Sequence, residues 1–154
     1  MNQLAPNHPE YIAAMHPEHV EVVRELEREV MARPQVQIVT RHLIHGGVYL
    51  RTMSMPHGCL LTGALIKINT TLIISGAVTV YVGGRTLLFE GYNVVPASGG
   101  RKQAILAHED SNLTMLFPTQ ATTVEDAEAE FTDEVDLLAS RGADGDNLVK
   151  ITGQ

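Results

Sequence analysis

The chain has 154 residues, 44% of them hydrophobic but only 5% aromatic with no tryptophan, and 18 acidic against 11 basic side chains give a formal charge of −7. This length fits one domain that folds without a metal or disulfide staple, and the composition predicts a core of Val, Ile, Leu and Met. The acidic balance excludes nucleic acid and anionic lipid as partners, because affinity there comes from Lys and Arg displacing counterions.

Residues 1–34 read as an arm followed by a helix. The start, MNQLAPNHPEYIAAMHPEH, has no basic region ahead of an apolar stretch, so no secretory or transit signal is expected, and no segment reaches transmembrane length. Residues 1–16, with Pro6 and Pro9, lack periodicity and read as extended or tied to another surface. From 17 to 32 the pattern predicts an amphipathic helix: Pro17 opens it, Val22 or Val23, Leu26 and Val30 form the stripe, and Pro34 stops it. His16 and His19, three apart at the helix start, make a poor chelate where the end frays.

Residues 35–118 read as β structure. The runs QVQIVTRHLI, VYLRTMSM, ALIKI, TLII, AVTVYV, RTLLF, YNVV, RKQAILA and NLTMLF, punctuated by Gly, Pro, Asn and Ser, predict about nine short strands. Val82-Gly83-Gly84-Arg85 predicts a two-residue primed hairpin turn, since glycine tolerates the positive φ it needs. Cys59, the one cysteine, sits beside Leu60 and Leu61 and reads as a small buried hydrophobe. His42 and His45 are three apart on a strand, so they face opposite sides and cannot pair on a ligand. The run Ala97-Ser98-Gly99-Gly100-Arg101-Lys102 reads as a loop ahead of a solvated edge in preference to an anion nest.

Residues 119–154 read as a helical segment and a tail. TTVEDAEAEFTDEVDLLAS favours a helix or two short ones within 122–140, with Thr122 and Glu125 spaced as a capping box. Asp144-Gly145-Asp146-Asn147 lacks the alternating ligands of a calcium loop and reads as a turn. Leu148, Val149 and Ile151 form an apolar patch expected to dock on the β domain or on a neighbour.

Taken together, GVYLRTMSMPHGCLLTGALIKI, TLIISGAVTVYVGGRTL, the Pro96 turn and RKQAILAHEDSNLTMLFPT resemble the cupin family, and within it the small cupin-like proteins encoded by bacteriophages. The resemblance implies a mostly β fold: a single cupin-like antiparallel barrel with an N-terminal amphipathic helix and a C-terminal acidic helical segment. In cupin enzymes two histidines and a glutamate of one motif and a histidine of a second converge on a metal. Aligned so, Ile66 and Ile68 stand where the paired histidines would be, and Gln103 where the second-motif histidine would be. Independently of alignment, residues 63–76 and 91–107 contain no His, Asp, Glu or Cys, so no metal and no cofactor is expected in the barrel.

Ligand contacts, if the interior is used, are expected from Ile66, Ile68 and Gln103, with His57 and His108 at the mouth. No catalytic residue is assigned, and the reading leans away from an enzyme. The first functional expectation is a non-enzymatic structural or interaction protein of phage type, a virion or assembly component. The alternative is a small-molecule-binding protein using the barrel pocket, as in counter-defence, and behind it a metal-dependent cupin enzyme with displaced ligands. A filled interior would favour the first and an open cavity on the order of several hundred Å³ the second. Expected partners are a second copy of the chain and other virion or assembly proteins, and the expected location is the cytoplasm, that of the host for a phage protein, or a virion.

Overall fold

The computed structural model describes residues 11–142 and 145–152. Helix α1 (Pro17–Met31) precedes strands β1 (Val39–His45), β2 (Val48–Met55), β3 (Leu60–Thr62), β4 (Thr70–Tyr81), β5 (Thr86–Ala97), β6 (Ala104–Ala107) and β7 (Ser111–Pro118). Helix α2 (Val124–Phe131), 3-10 turns at Val135–Leu137 and Ala139–Arg141, and strand β8 (Asp146–Ile151) complete the chain. All strands belong to one sheet in the order β3-β6-β4-β7-β2-β1-β8, with β5 paired to β4. It curls into a half-barrel. No helix among the described residues is long and apolar enough to cross a membrane.

Alternation explains which side of the sheet faces inward. Along β7, Ser111, Leu113, Met115 and Phe117 are buried while their neighbours are not. On β4, Leu72, Ile74, Val78 and Val80 point inward, but Gly76 between them does not interrupt the strand. The two runs expected on either side of Gly76 are therefore one strand of 12 residues, and so are those on either side of Gly91. The two glycines lie opposite each other in the β4–β5 register, both at positive φ, and bend the hairpin instead of breaking it. The expected hairpin turn is present, with Gly83 at φ 87° and Gly84 at φ 85°. The expected run ALIKI is not a strand: within it only Ile66 pairs, in a bridge to Arg101.

The core is less purely aliphatic than composition suggests. All three phenylalanines, Phe89, Phe117 and Phe131, are buried. Tyr49 meets Phe117 edge-on at 5.5 Å between centroids and Phe131 at 6.5 Å, so these three rings form one aromatic cluster in the core. Cys59 is buried, and burial pushes its thiol pKa up, which keeps it protonated and unreactive.

Helix α1 uses Val23, not Val22, as its buried residue. Two ion pairs fasten it: Arg24 Nη1 to Glu134 at 2.6 Å, and Glu27 to the fully buried Lys102 at 3.1 Å. Ahead of α1, Ile12 bridges Ala97 and is fully buried, so this part of the arm is tied to its own β domain. The rest of the arm, residues 1–10, lies outside the described residues. At α2 the cap is Thr123, one residue after the expected Thr122, and its hydroxyl accepts from the Asp126 amide at 3.2 Å.

The C-terminal patch forms a strand, β8, added in parallel to β1. Part of its anchor is polar. The His42 Nδ1 accepts from the Tyr49 hydroxyl at 2.7 Å, and its Nε2 donates to Asn147 Oδ1 at 2.7 Å. Asn147 in turn donates to the Ser140 carbonyl at 2.8 Å. Burial pushes the His42 pKa down, so the ring is neutral near pH 7 and this proton arrangement is the one the network needs. Of the expected Asp144-to-Asn147 turn, Asp144 lies outside the described residues, while Asp146 and Asn147 open β8.

Candidate functional site

The segment after α2 is stitched across the inner side of the half-barrel. Lys67 N donates to the Phe131 carbonyl at 2.8 Å, the Thr132 hydroxyl to the Leu65 carbonyl at 2.7 Å, and Leu65 N to Glu134 Oε1 at 2.8 Å. Between this strap and the strands remains a cavity of about 80 Å³. At about 30 Å³ of liquid volume per water, it has room for roughly two or three waters or a molecule of similar bulk. The interior is thus neither filled nor open to a drug-sized molecule. Leu137, Leu138 and Ala139 of the strap, with Leu61 and Thr62, border both this cavity and a broader groove beside the end of α1, so they form the wall between inside and outside.

Most of the cavity lining is aliphatic: Met53 of β2, Leu72 of β4, Ile105 of β6, and Leu113 and Met115 of β7. Four polar side chains interrupt it, Arg51, Thr62, Arg101 and Gln103. Arg51 lies on β2 between Tyr49 and Met53 on the inward face. Its Nη1 donates to Glu128 at 2.9 Å and to Ser140 at 3.1 Å, and its guanidinium lies over the Phe131 ring at 5.7 Å. Glu128, 1% exposed, also accepts from Ser140 at 2.6 Å and from Arg141 Nε at 2.8 Å. Burial alone would raise the Glu128 pKa. The hydrogen bonds from Ser140 and Arg141 and the charges of both arginines outweigh it and hold the carboxyl below its ordinary value.

Arg101 is different. Its side chain is 1% exposed, yet among the described residues no carboxylate lies in ion-pair reach of it. It donates only to neutral acceptors: the Ser98 carbonyl at 2.7 Å, Thr70 Oγ1 at 2.7 Å, Gln103 Oε1 at 3.3 Å and the Met115 sulfur at 3.9 Å. Burial pushes its pKa down to about 10, still far enough above neutrality to leave it charged at pH 7. Beside it, Gln103 Nε2 is buried with no hydrogen-bond partner.

The expectation of a solvated loop edge at Arg101 and Lys102 is corrected here, since both side chains are buried. The loop tucks in because Gly99 fits against the Lys67 carbonyl, where a Cβ would come within 2.6 Å, and Gly100 takes φ 82°. Lys102 Nζ is satisfied by the Gly63 carbonyl at 2.8 Å, Glu27 and Glu134. Of the residues expected to contact a ligand, Ile66 and Gln103 line the cavity. Ile68 packs against the core outside that lining, and His57 and His108 are exposed on turns. There, His108 Nε2 meets the Thr79 hydroxyl at 2.6 Å. Arg51 was readable from alternation, which sets it on the apolar face of VYLRTMSM; Arg101 carries no such signal.

A metal of the kind cupin enzymes use does not fit this donor set. The lining contains no His, Cys, Asp or Glu, and its two guanidinium groups repel a cation. Among the described residues no cluster of three or more such ligands occurs anywhere else.

No family model matches the chain, and no curated protein sequence does. Among solved structures it is similar to salicylate 1,2-dioxygenase from Pseudaminobacter salicylatoxidans, with a TM-score of 0.50 and 12% identity over 74% of this chain and 35% of that one. It is also similar to a cupin superfamily protein from Desulfitobacterium hafniense (TM-score 0.45, 12% identity, 57% of this chain and 83% of that one). A third is the cupin domain of Schizosaccharomyces pombe Cnp3 (TM-score 0.44, 21% identity, 64% and 75%). Likeness at such identities is one of fold. The fold is a mostly β, cupin-like half-barrel with helices towards both ends.

Proposed function

We propose that this protein is a metal-independent binding protein that holds a small molecule inside its half-barrel. The observation that carries this reading is a cavity with apolar walls whose lining includes a buried guanidinium with no carboxylate in reach among the described residues, and Gln103, whose amide nitrogen has no partner. A core built only for stability would not keep them there, because burying a charge without a partner costs several kcal/mol. The test is a titration with neutral and anionic compounds of about three to five heavy atoms, matched to the cavity, followed by methyl NMR of Met53, Leu72, Ile105 and Met115. Saturable shifts are expected for some of them, and Ala64→Leu, which fills the cavity, should abolish these shifts while leaving the fold intact. Shifts absent for every compound, or unchanged in Ala64→Leu, would remove the reading.

A second reading, an interaction or assembly protein, is favoured by the outer face of β5. Leu88, Tyr92 and Val94 are exposed there on a long strand whose outer edge, apart from the Ile12 bridge at Ala97, has no partner strand among the described residues. Self-association through that face predicts a dimer or larger species by light scattering at micromolar concentration, reduced to a 16.8 kDa monomer by Tyr92→Lys with Val94→Lys. The two readings are compatible, since the face lies outside the cavity lining.

A further inference from the structure

We infer that the molecule held in the cavity is a small monocarboxylate with a short apolar tail, its oxygens received by the Arg101 guanidinium and the Gln103 side-chain amide. This rests on the reading of the half-barrel as a binding protein and names its ligand class.

Charge is the first argument. Two cations, Arg51 and Arg101, line the cavity, and the buried carboxylate beside them, Glu128, is engaged by Arg51 and by Arg141 as well. Of the two lining cations Arg101 is therefore the one with no carboxylate in reach among the described residues, and one negative charge would neutralise it. Geometry is the second. The Arg101 Nη2 has only Met115 Sδ at 3.9 Å besides Thr70, and Gln103 is held by its Oε1 against Arg101 Nε at 3.3 Å. That contact leaves Gln103 Nε2 as a donor without an acceptor. A carboxylate has two oxygens to accept from both groups, and charge-assisted bonds of this kind are the strong ones. The walls are the third. Met53, Leu72, Ile105 and Leu113 offer nothing to a second charge or a hydroxyl, which disfavours phosphate and sugar acids, and the volume of about 80 Å³ limits the tail to a few carbons. Burial depresses the Arg101 pKa but leaves it about 10, so the cation is available throughout the neutral range.

The experiment follows the melting temperature of the full chain against acetate, propionate, the neutral isostere propionamide, and sodium chloride or phosphate alone. Acetate or propionate should give a saturable rise that propionamide and the inorganic salts do not. Arg101→Met should abolish the rise. Should that variant fail to fold, Gln103→Glu decides: it places a carboxylate beside Arg101, so the ligand-free protein should melt no lower than wild type and carboxylate affinity should fall about tenfold or more. Equal shifts with propionamide, or carboxylate shifts that persist in Gln103→Glu, would overturn the carboxylate while leaving the cavity as a binding site. Equal shifts with inorganic anions would replace it with a simple anion site. No shift or methyl perturbation with any compound would remove both this inference and the reading it rests on.

Discussion

Replacing Glu128 with glutamine should lower the unfolding free energy by about 3–5 kcal/mol, the range found when one partner of a buried ion pair is removed. Glu128 and Arg51 are 1% and 4% exposed, so glutamine would leave the Arg51 charge buried without its counterion. The same change loosens Ser140 and Arg141, which hold the strap over the cavity through this carboxylate. A pH effect accompanies it. Glu128 and Glu134 both have pKa values held below the ordinary 4.5, in each case because hydrogen bonds and neighbouring cations outweigh the opposing effect of burial. For carboxylates depressed in the folded state, the unfolded chain binds more protons through that window, so stability rises with pH there. The stabilisation is complete above about pH 4.5 and is lost as pH falls through the folded-state values. Urea unfolding between pH 7 and pH 3 should show a steep acid limb in the wild type and a shallower one in Glu128→Gln. Identical acid limbs would show that Glu128 does not carry the effect.

Gly76→Ala should cost about 2–5 kcal/mol, combining backbone strain with overpacking. Gly76 has φ 129°, and a Cβ there would lie 2.9 Å from the Ser111 Cα and closer still to the Ser111 side chain. This is the point at which β4 changes partner: residues 71–75 pair with β7 and residues 78–81 with β6. Ser111 closes the junction, its hydroxyl donating to the Glu109 carbonyl at 2.8 Å and accepting from the Ala77 amide at 3.1 Å. Pushing Ser111 aside would open the sheet at its centre. Gly91→Ala makes the control, for nothing lies within 4 Å of a Cβ there, so only the strain of its φ of 77° remains. Chemical denaturation of the two variants should therefore separate them by roughly the overpacking cost of 1–3 kcal/mol, and equal losses would show that the Ser111 contact does not matter.

Local features of this protein were readable from the chain alone. The span of α1, the Gly83-Gly84 turn and the inward face of β7 each depend on backbone periods and φ preferences that neighbouring residues set among themselves. The missing ligating side chains in residues 63–76 and 91–107 were equally plain, since residue type needs no coordinates. Strand number was misread at Gly76 and Gly91 because a glycine that bends a paired hairpin and one that ends a strand look alike until the partner strand is known. The fate of the charges was decided only by tertiary structure. Arg51 meets Glu128 from 77 residues away and Lys102 meets Glu27 from 75 residues away, while Arg101 from the same loop finds no carboxylate among the described residues. Whether a charged side chain is buried depends on what waits for it across the fold, because desolvation must be offset by a partner that sequence proximity does not supply.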